Sequence, residues 1–179
     1  MKTIKIKDRE FELFIPNGEI ETAISRMAAK MNRELAELTP LFIGVLNGTF
    51  MFAADLLKKI TIPCEITFLR LSSYSGIHST KQVKEIIGLE NIVKNRNIII
   101  LEDIIDSGLT IDYIINKLIE KNPASIKVGT MFFKPSAFKK NFIIDYIGIE
   151  IPNYFIVGYG LDYDGQGRNL PDVYKLKEE

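Results

Sequence analysis

The chain has 179 residues, 46% hydrophobic and 26% charged, a length and balance expected of one globular domain with a substantial core. Lys plus Arg and Asp plus Glu both number 23, so the net charge is zero and there is no global electrostatic case for nucleic-acid or membrane binding; an anion site has to be built locally. One cysteine (Cys64) and one histidine (His78) exclude an internal disulfide, a thiolate zinc cluster and a His-rich metal site, leaving hard cations on oxygen ligands.

The first residues, MKTIKIKDREFELF, alternate apolar with charged side chains and lack the apolar run of a signal peptide. No stretch approaches the ~18 apolar residues that a membrane span needs, so a cytoplasmic location is expected. Ile4, Ile6, Phe11, Leu13 and Ile15 predict a strand or hairpin. Asn17 is placed to cap a helix whose apolar positions are Ile20, Ile24, Met27, Met31, Leu35 and Leu38, with Glu19 and Glu21 in its first turn and Pro40 as its stop. Leu41 to Leu46 reads as a buried strand, Asn47-Gly48 as a turn, and Phe50 to Ile60 as a compact apolar helix. Ile66 to Leu71 is a further strand. Ser72 to Lys84 is a polar, aperiodic loop long enough to be a lid. Asn97 to Leu101 is a strand, and Ile111, Ile114, Ile115, Leu118 and Ile119 form a helix face. Ile126 to Phe133, Tyr146 to Ile151 and Phe155 to Tyr159 complete the strands. No repeat, low-complexity tract or linker divides residues 1–179, so a single domain is expected. Short apolar strands alternating with helices predict an α/β, doubly wound, mostly parallel central sheet with helices on both faces, whose ligands bind beyond the carboxyl ends of the strands.

Polar chemistry gathers at those ends. The strand from Ile98 ends in adjacent carboxylates, Glu102 and Asp103. Side chains alternate along a strand, so regular geometry would bury one of the two, and a carboxylate there calls for hydroxyls or a metal. Asp106, Ser107, Gly108, Leu109 and Thr110 follow at a helix start, where free N–H groups, a flexible glycine and two hydroxyls can cradle a phosphate monoester. It is not a Walker A loop, because no Gly-Lys-Thr/Ser follows the strand. Taken singly, each residue also has an ordinary reading, as a solvated strand end or a helix cap. The contiguous string favours a site.

The run from Leu101 to Thr110 closely resembles the signature for phosphoribosyl pyrophosphate (PRPP) in type I phosphoribosyltransferases, in the form found in hypoxanthine-guanine phosphoribosyltransferases. The resemblance implies that Glu102 and Asp103 bind the ribose hydroxyls, that Asp106 to Thr110 hold the 5′-phosphate, and that Asp106 faces purine N7 as general acid/base. Gly44 to Leu57 resembles the family's pyrophosphate loop, implying pyrophosphate contacts from Leu46, Asn47 and Gly48 and a cis Leu46–Asn47 peptide. Many members carry lysine where this chain has Asn47, so a cation is missing there. Arg70 to Gly76 resembles the lid loop, with Ser73 and Tyr74 as the matching residues, and His78 reads as solvated.

Late segments narrow the base. Lys134, in Phe133-Lys134-Pro135, matches a lysine set against the purine 6-oxo group. In the stretch ending Val157-Gly-Tyr-Gly-Leu-Asp-Tyr163, the resemblance implies that Phe155 stacks on the purine, Ile156 reads its edge through backbone, and Asp162 serves a second Mg2+ and lies near the 2-position of the base. Arg168 matches an arginine that contacts pyrophosphate. Mg2+ is the implied cofactor, with Glu102, Asp103 and Asp162 as metal-site residues, and PRPP and a 6-oxopurine are the implied substrates. A homodimer or homotetramer is implied too, as is a small hood subdomain from about residues 1–16 and 146–179 over a core at 17–145. Two alternatives are a PRPP-sensing regulator on the same fold and a phosphoribosyltransferase preferring xanthine or adenine. The neutral charge argues against the first, and an ammonium, which only donates, against adenine.

Overall fold

The computed structural model describes residues 2–73, 83–85 and 92–177. In chain order the elements are β1 (Thr3–Ile6), β2 (Arg9–Ile15), α1 (Asn17–Glu34), β3 (Leu41–Leu46), α2 (Phe50–Leu57), β4 (Glu65–Ser73), β5 (Val83–Glu85), β6 (Asn97–Ile105), α3 (Leu109–Ile119), β7 (Ser125–Phe133), β8 (Tyr146–Glu150), β9 (Ile156–Val157) and β10 (Val173–Leu176). They form a six-stranded sheet of order β5-β4-β3-β6-β7-β8 and a four-stranded sheet of order β1-β2-β10-β9. In the large sheet β4, β3, β6, β7 and β8 are parallel, and β5 is antiparallel to β4.

The apolar runs of β3 and β6 are continuous because both faces of the sheet are covered. Leu41, Ile43 and Val45, with Ile98 and Ile100, enter one core cluster with Ile111, Ile114 and Leu118 of α3. Phe42, with Ile99 and Leu101, enters the other, against α1 and α2. The α1 positions Ile20, Ala23, Ile24, Met27, Ala28 and Met31 are buried, the 3–4 spacing of an amphipathic helix. Each large side chain so buried contributes about 1.5–3 kcal/mol. The small antiparallel sheet, with Ile6, Phe11, Val157 and Tyr174 at its centre, forms the hood.

Several expectations are corrected. Pro16, not Asn17, stands at the cap position of α1, which puts Glu19 but not Glu21 in the first turn. The Asn17 N–H donates to Asp172 Oδ1 (3.0 Å) and the Asn17 side chain to the Pro171 carbonyl (3.1 Å), so the cap comes from the far end of the chain. Helix α1 ends at Glu34, before Pro40, and α2 ends at Leu57 rather than Ile60. Strand β6 runs on to Ile105 because β7 pairs with it as far as Phe133. Of the segment from Phe155 to Tyr159 only Ile156–Val157 is strand, paired with the unforeseen β10. Tyr146–Glu150 pairs with β7, so the hood begins after Glu150 rather than at Tyr146. Of the loop expected at Ser72 to Lys84, both ends are strand, since Leu71–Ser73 pair with Val83–Glu85. Tyr74 and His78 lie outside the described residues.

Candidate active site

Both members of the acidic pair are buried, where one was expected to face solvent. Glu102 is held by the sheet, paired in register with Thr130, and Asp103 Oδ1 accepts the Ile104 N–H at 3.0 Å. Burial, and then the neighbouring Asp103 charge, push the Glu102 carboxyl well above the ordinary range. Burial raises Asp103 as well, opposed by its hydrogen bonds. Among the described residues, Glu102 Oε2 and Thr49 Oγ1 are the buried side-chain atoms without a hydrogen-bond partner. An orphaned carboxylate oxygen at a strand end is a cost that a bound hydroxyl or cation would remove.

The turn after β3 rests directly on this pair. A methyl group at Gly48 would lie 1.5 Å from Asp103 Oδ2, so no other residue fits while Asp103 keeps its place. The Leu46–Asn47 peptide is cis, in agreement with the sequence resemblance. From the hood, Gly160 (φ +94°) approaches so closely that a methyl group there would lie 2.0 Å from the Gly48 carbonyl oxygen. Three segments distant in sequence thus meet at one point: the end of β6, the turn after β3 and the turn after β9.

Beside them, Asp106 to Thr110 line a pocket of about 90 Å³ with Glu102 at its edge. Gly108 (φ +81°) precedes α3 and supplies no side-chain cap, and the Leu109 N–H reaches Ser107 Oγ only at 3.5 Å. Amides at the start of α3 and the helix dipole would suit an anion here.

At the end of β7 Lys134 is buried, unlike the surface lysine that the residue alone would suggest. Its Nζ lies 3.0 Å from Oδ2 of Asp106, whose side chain is half exposed. Phe155 is half exposed, with Tyr163 edge-on to it at 6.0 Å and 87° and Phe11 at 6.4 Å, leaving ring surface for a planar ligand. Ile156 is buried in β9 opposite Lys175. Asp162 takes Arg168 on Oδ1 (2.6 Å) and the Gly165 N–H on Oδ2 (2.7 Å), while Arg168 also donates to the Gly160 carbonyl (2.7 Å). Arg168 is therefore paired rather than extended into solvent. Ser73 ends β4 and Tyr74 lies outside the described residues.

Sequence reasoning missed Gly160, Thr49 and the buried Tyr159, whose hydroxyl donates to Asp55 Oδ2 at 2.6 Å. The only sequence signal was their place inside the two glycine-containing segments.

The fold and the site define the class. Residues 15–164 match the phosphoribosyl transferase domain family, and the chain belongs to it. The relatives narrow the branch. The chain is 41% identical over 167 residues to the hypoxanthine-guanine phosphoribosyltransferase of Bacillus subtilis, covering 93% of each chain. It is 34% identical to the hypoxanthine phosphoribosyltransferase of Salmonella typhimurium, covering 92% of this chain and 94% of that one. A crystal structure of a hypoxanthine-guanine phosphoribosyltransferase from Bacillus anthracis superposes with a TM-score of 0.85 at 33% identity, over 92% of this chain and 97% of that one.

Proposed function

We propose that the chain is a purine salvage enzyme that transfers the 5-phosphoribosyl group of PRPP to N9 of hypoxanthine or guanine, giving IMP or GMP and pyrophosphate. The observation that carries the base class is the contact between Lys134 Nζ and Asp106 Oδ2 at 3.0 Å, next to the phosphate pocket. A 6-oxopurine presents O6 and N7 as neighbours on one edge. An ammonium satisfies O6, and a carboxylate beside it handles the proton at N7. Adenine offers an amino group in place of O6 and leaves the ammonium without an acceptor, a mismatch that discriminates strongly.

Each remaining element has a role in this reading. Asp106 to Thr110 and the N-terminus of α3 receive the 5′-phosphate. Glu102 and Asp103 accept the ribose hydroxyls, which would satisfy the orphaned Glu102 Oε2. Leu46 to Gly48 and Arg168 bind pyrophosphate, Phe155 stacks on the base, backbone at Ile156 reads its edge, and Ser73 and Tyr74 belong to a lid that excludes water. As the bond at C1′ breaks, positive charge grows on the ribose and negative charge on pyrophosphate, so fixed charges at both ends lower the barrier.

The donor set suits Mg2+ brought in with PRPP: Glu102 and Asp103 are hard oxygen ligands, and Asp162 can serve once Arg168 shares its carboxylate with the ion. Such an ion neutralises the leaving pyrophosphate. We place the enzyme in the cytoplasm as a homodimer or homotetramer, without nucleic-acid or membrane partners. Among the described residues no helix is long and apolar enough to cross a membrane.

The test is to incubate the protein with PRPP, Mg2+ and each of hypoxanthine, guanine, xanthine and adenine, following nucleotide formation. Turnover of hypoxanthine or guanine but not adenine is expected. Turnover of xanthine alone would move the reading to a xanthine enzyme. PRPP binding without any turnover would point to a regulator.

A further inference from the structure

Three consecutive residues of the hood turn, Gly158, Tyr159 and Gly160, have positive φ (+99°, +47° and +94°). Glycine enters that region freely, but a tyrosine does so only when its surroundings hold it there. The ring of Tyr159 is buried, and its hydroxyl donates at 2.6 Å to Asp55 Oδ2, 104 residues away on α2. Asp55 Oδ1 is in turn paired with Lys58 Nζ at 2.6 Å. The Tyr159 N–H donates to the Leu170 carbonyl (2.8 Å) and the Gly160 N–H to the Arg168 carbonyl (2.9 Å), so the turn and the Arg168 segment move as one.

This turn sets two things at the site. It brings Gly160 against the Gly48 carbonyl, and it offers the Gly160 carbonyl to Arg168, whose guanidinium also grips Asp162. Helix α2 begins just after the Leu46–Gly48 turn, so Asp55 is rigidly linked to that turn through one short helix. Asn47 supplies no cation, and Arg168 lies close enough to this end of the site for its charge to act on Asp103. Its placement relative to Gly48 then depends on a hood turn that the chain reaches only after more than a hundred further residues. The Tyr159–Asp55 hydrogen bond spans that junction.

We propose that Asp55 is a positioning residue for the transfer reaction: through Tyr159 it holds Arg168 and Asp162 in register with the Leu46–Gly48 turn and governs affinity for the pyrophosphate end of PRPP without touching substrate. This rests on the transferase reading and deepens it.

The experiment compares wild-type, Tyr159→Phe, Asp55→Ala and Asp55→Asn proteins in the forward direction and with IMP plus pyrophosphate, alongside calorimetric titration with Mg2+-pyrophosphate. Tyr159→Phe removes one oxygen and keeps the packed ring. It is expected to raise KM for PRPP and for pyrophosphate about tenfold, the scale of one lost charge-assisted hydrogen bond, while KM for hypoxanthine stays unchanged. Asp55→Ala should do the same, Asp55→Asn, which keeps an acceptor oxygen, should restore most of the loss, and a protein carrying both Tyr159→Phe and Asp55→Ala should be no worse than either single variant. A merely structural contact would lower melting temperature or affect all substrates alike. Folded Tyr159→Phe protein with wild-type KM for PRPP, or with base and PRPP affected equally, would overturn the proposal. Absence of turnover in the wild type would instead count against the transferase reading, and the pyrophosphate titration would still decide the role of Asp55. Equal affinity in wild type and Tyr159→Phe, or none in either, would overturn it.

Discussion

A buried ammonium needs a partner, and Lys134 has Asp106 at 3.0 Å. In the proposed reading that contact fills the edge meant for O6 and N7 of the base, so a base would bind by taking over both partners. Replacing Lys134 with methionine keeps the length and apolar stem of the side chain and removes only the donor. Such a variant should lose roughly a hundredfold in kcat/KM for hypoxanthine, the scale of a buried charged hydrogen bond, and leave PRPP affinity unchanged. Steady-state kinetics with a separate PRPP titration measures both. Equal losses would show that Lys134 supports the fold of the strand end rather than base recognition. Gly48 is the complementary case, because what matters there is the absence of a side chain: any Cβ displaces Asp103, so the acid pair and the turn after β3 depend on one hydrogen atom.

The junction of β6 and α3 shows the same logic over a whole element. Gly108 turns the chain at φ +81° into the first turn of α3, and a methyl group there would come within 2.6 Å of the Phe138 ring. Gly108→Ala therefore meets both a backbone penalty of about 1 kcal/mol and a displaced ring under the proposed phosphate loop. KM for PRPP should rise well over tenfold, with a melting temperature lower by roughly 2–6 °C, while base affinity changes little. Thermal melts and kinetics on the same preparation separate the two effects. This junction was legible in the sequence because strand, acid pair, glycine loop and helix are contiguous, and β3, α2 and β7 were legible for the same reason. Strand β10 was not, because the four residues Val173–Leu176 carry little periodicity and gain their partners from β2 and β9. The cap of α1 by Asp172, the Lys134–Asp106 contact and the Gly160–Gly48 approach were equally hidden. Each joins segments that only the completed fold brings together. The residue types could be read from motifs, but not who touches whom.

Across the whole molecule the zero net charge hides an uneven distribution of proton affinity. Asp55 and Asp172 hold their carboxyls below the ordinary 3.8. For Asp55, hydrogen bonds from Lys58 and Tyr159 overcome an opposing burial; for Asp172, the leading cause is Lys2. Their contribution to stability is present above pH 3.8 and is lost as the pH falls through their lower folded values. Glu102 behaves in the opposite sense. Burial and Asp103 raise it well above its ordinary 4.5, so between that value and its folded pKa the folded chain holds a proton that the unfolded chain has released. Raising the pH through that window withdraws stability, and lowering it restores stability. The protein without substrate or divalent metal should thus melt higher in mildly acidic buffer, near about pH 5.5, than near about pH 8. Glu102→Gln removes the titration while keeping the shape of the side chain. It should flatten the dependence on pH, raise the melting temperature at neutral pH and abolish transfer from PRPP. Comparing the two profiles cancels the titrations that both proteins share. A Glu102→Gln profile as steep as that of the wild type would mean that the acid pair does not set the pH dependence; a flat one at higher temperature would mean that the unliganded fold gives up stability at neutral pH to keep a carboxylate ready for the ribose.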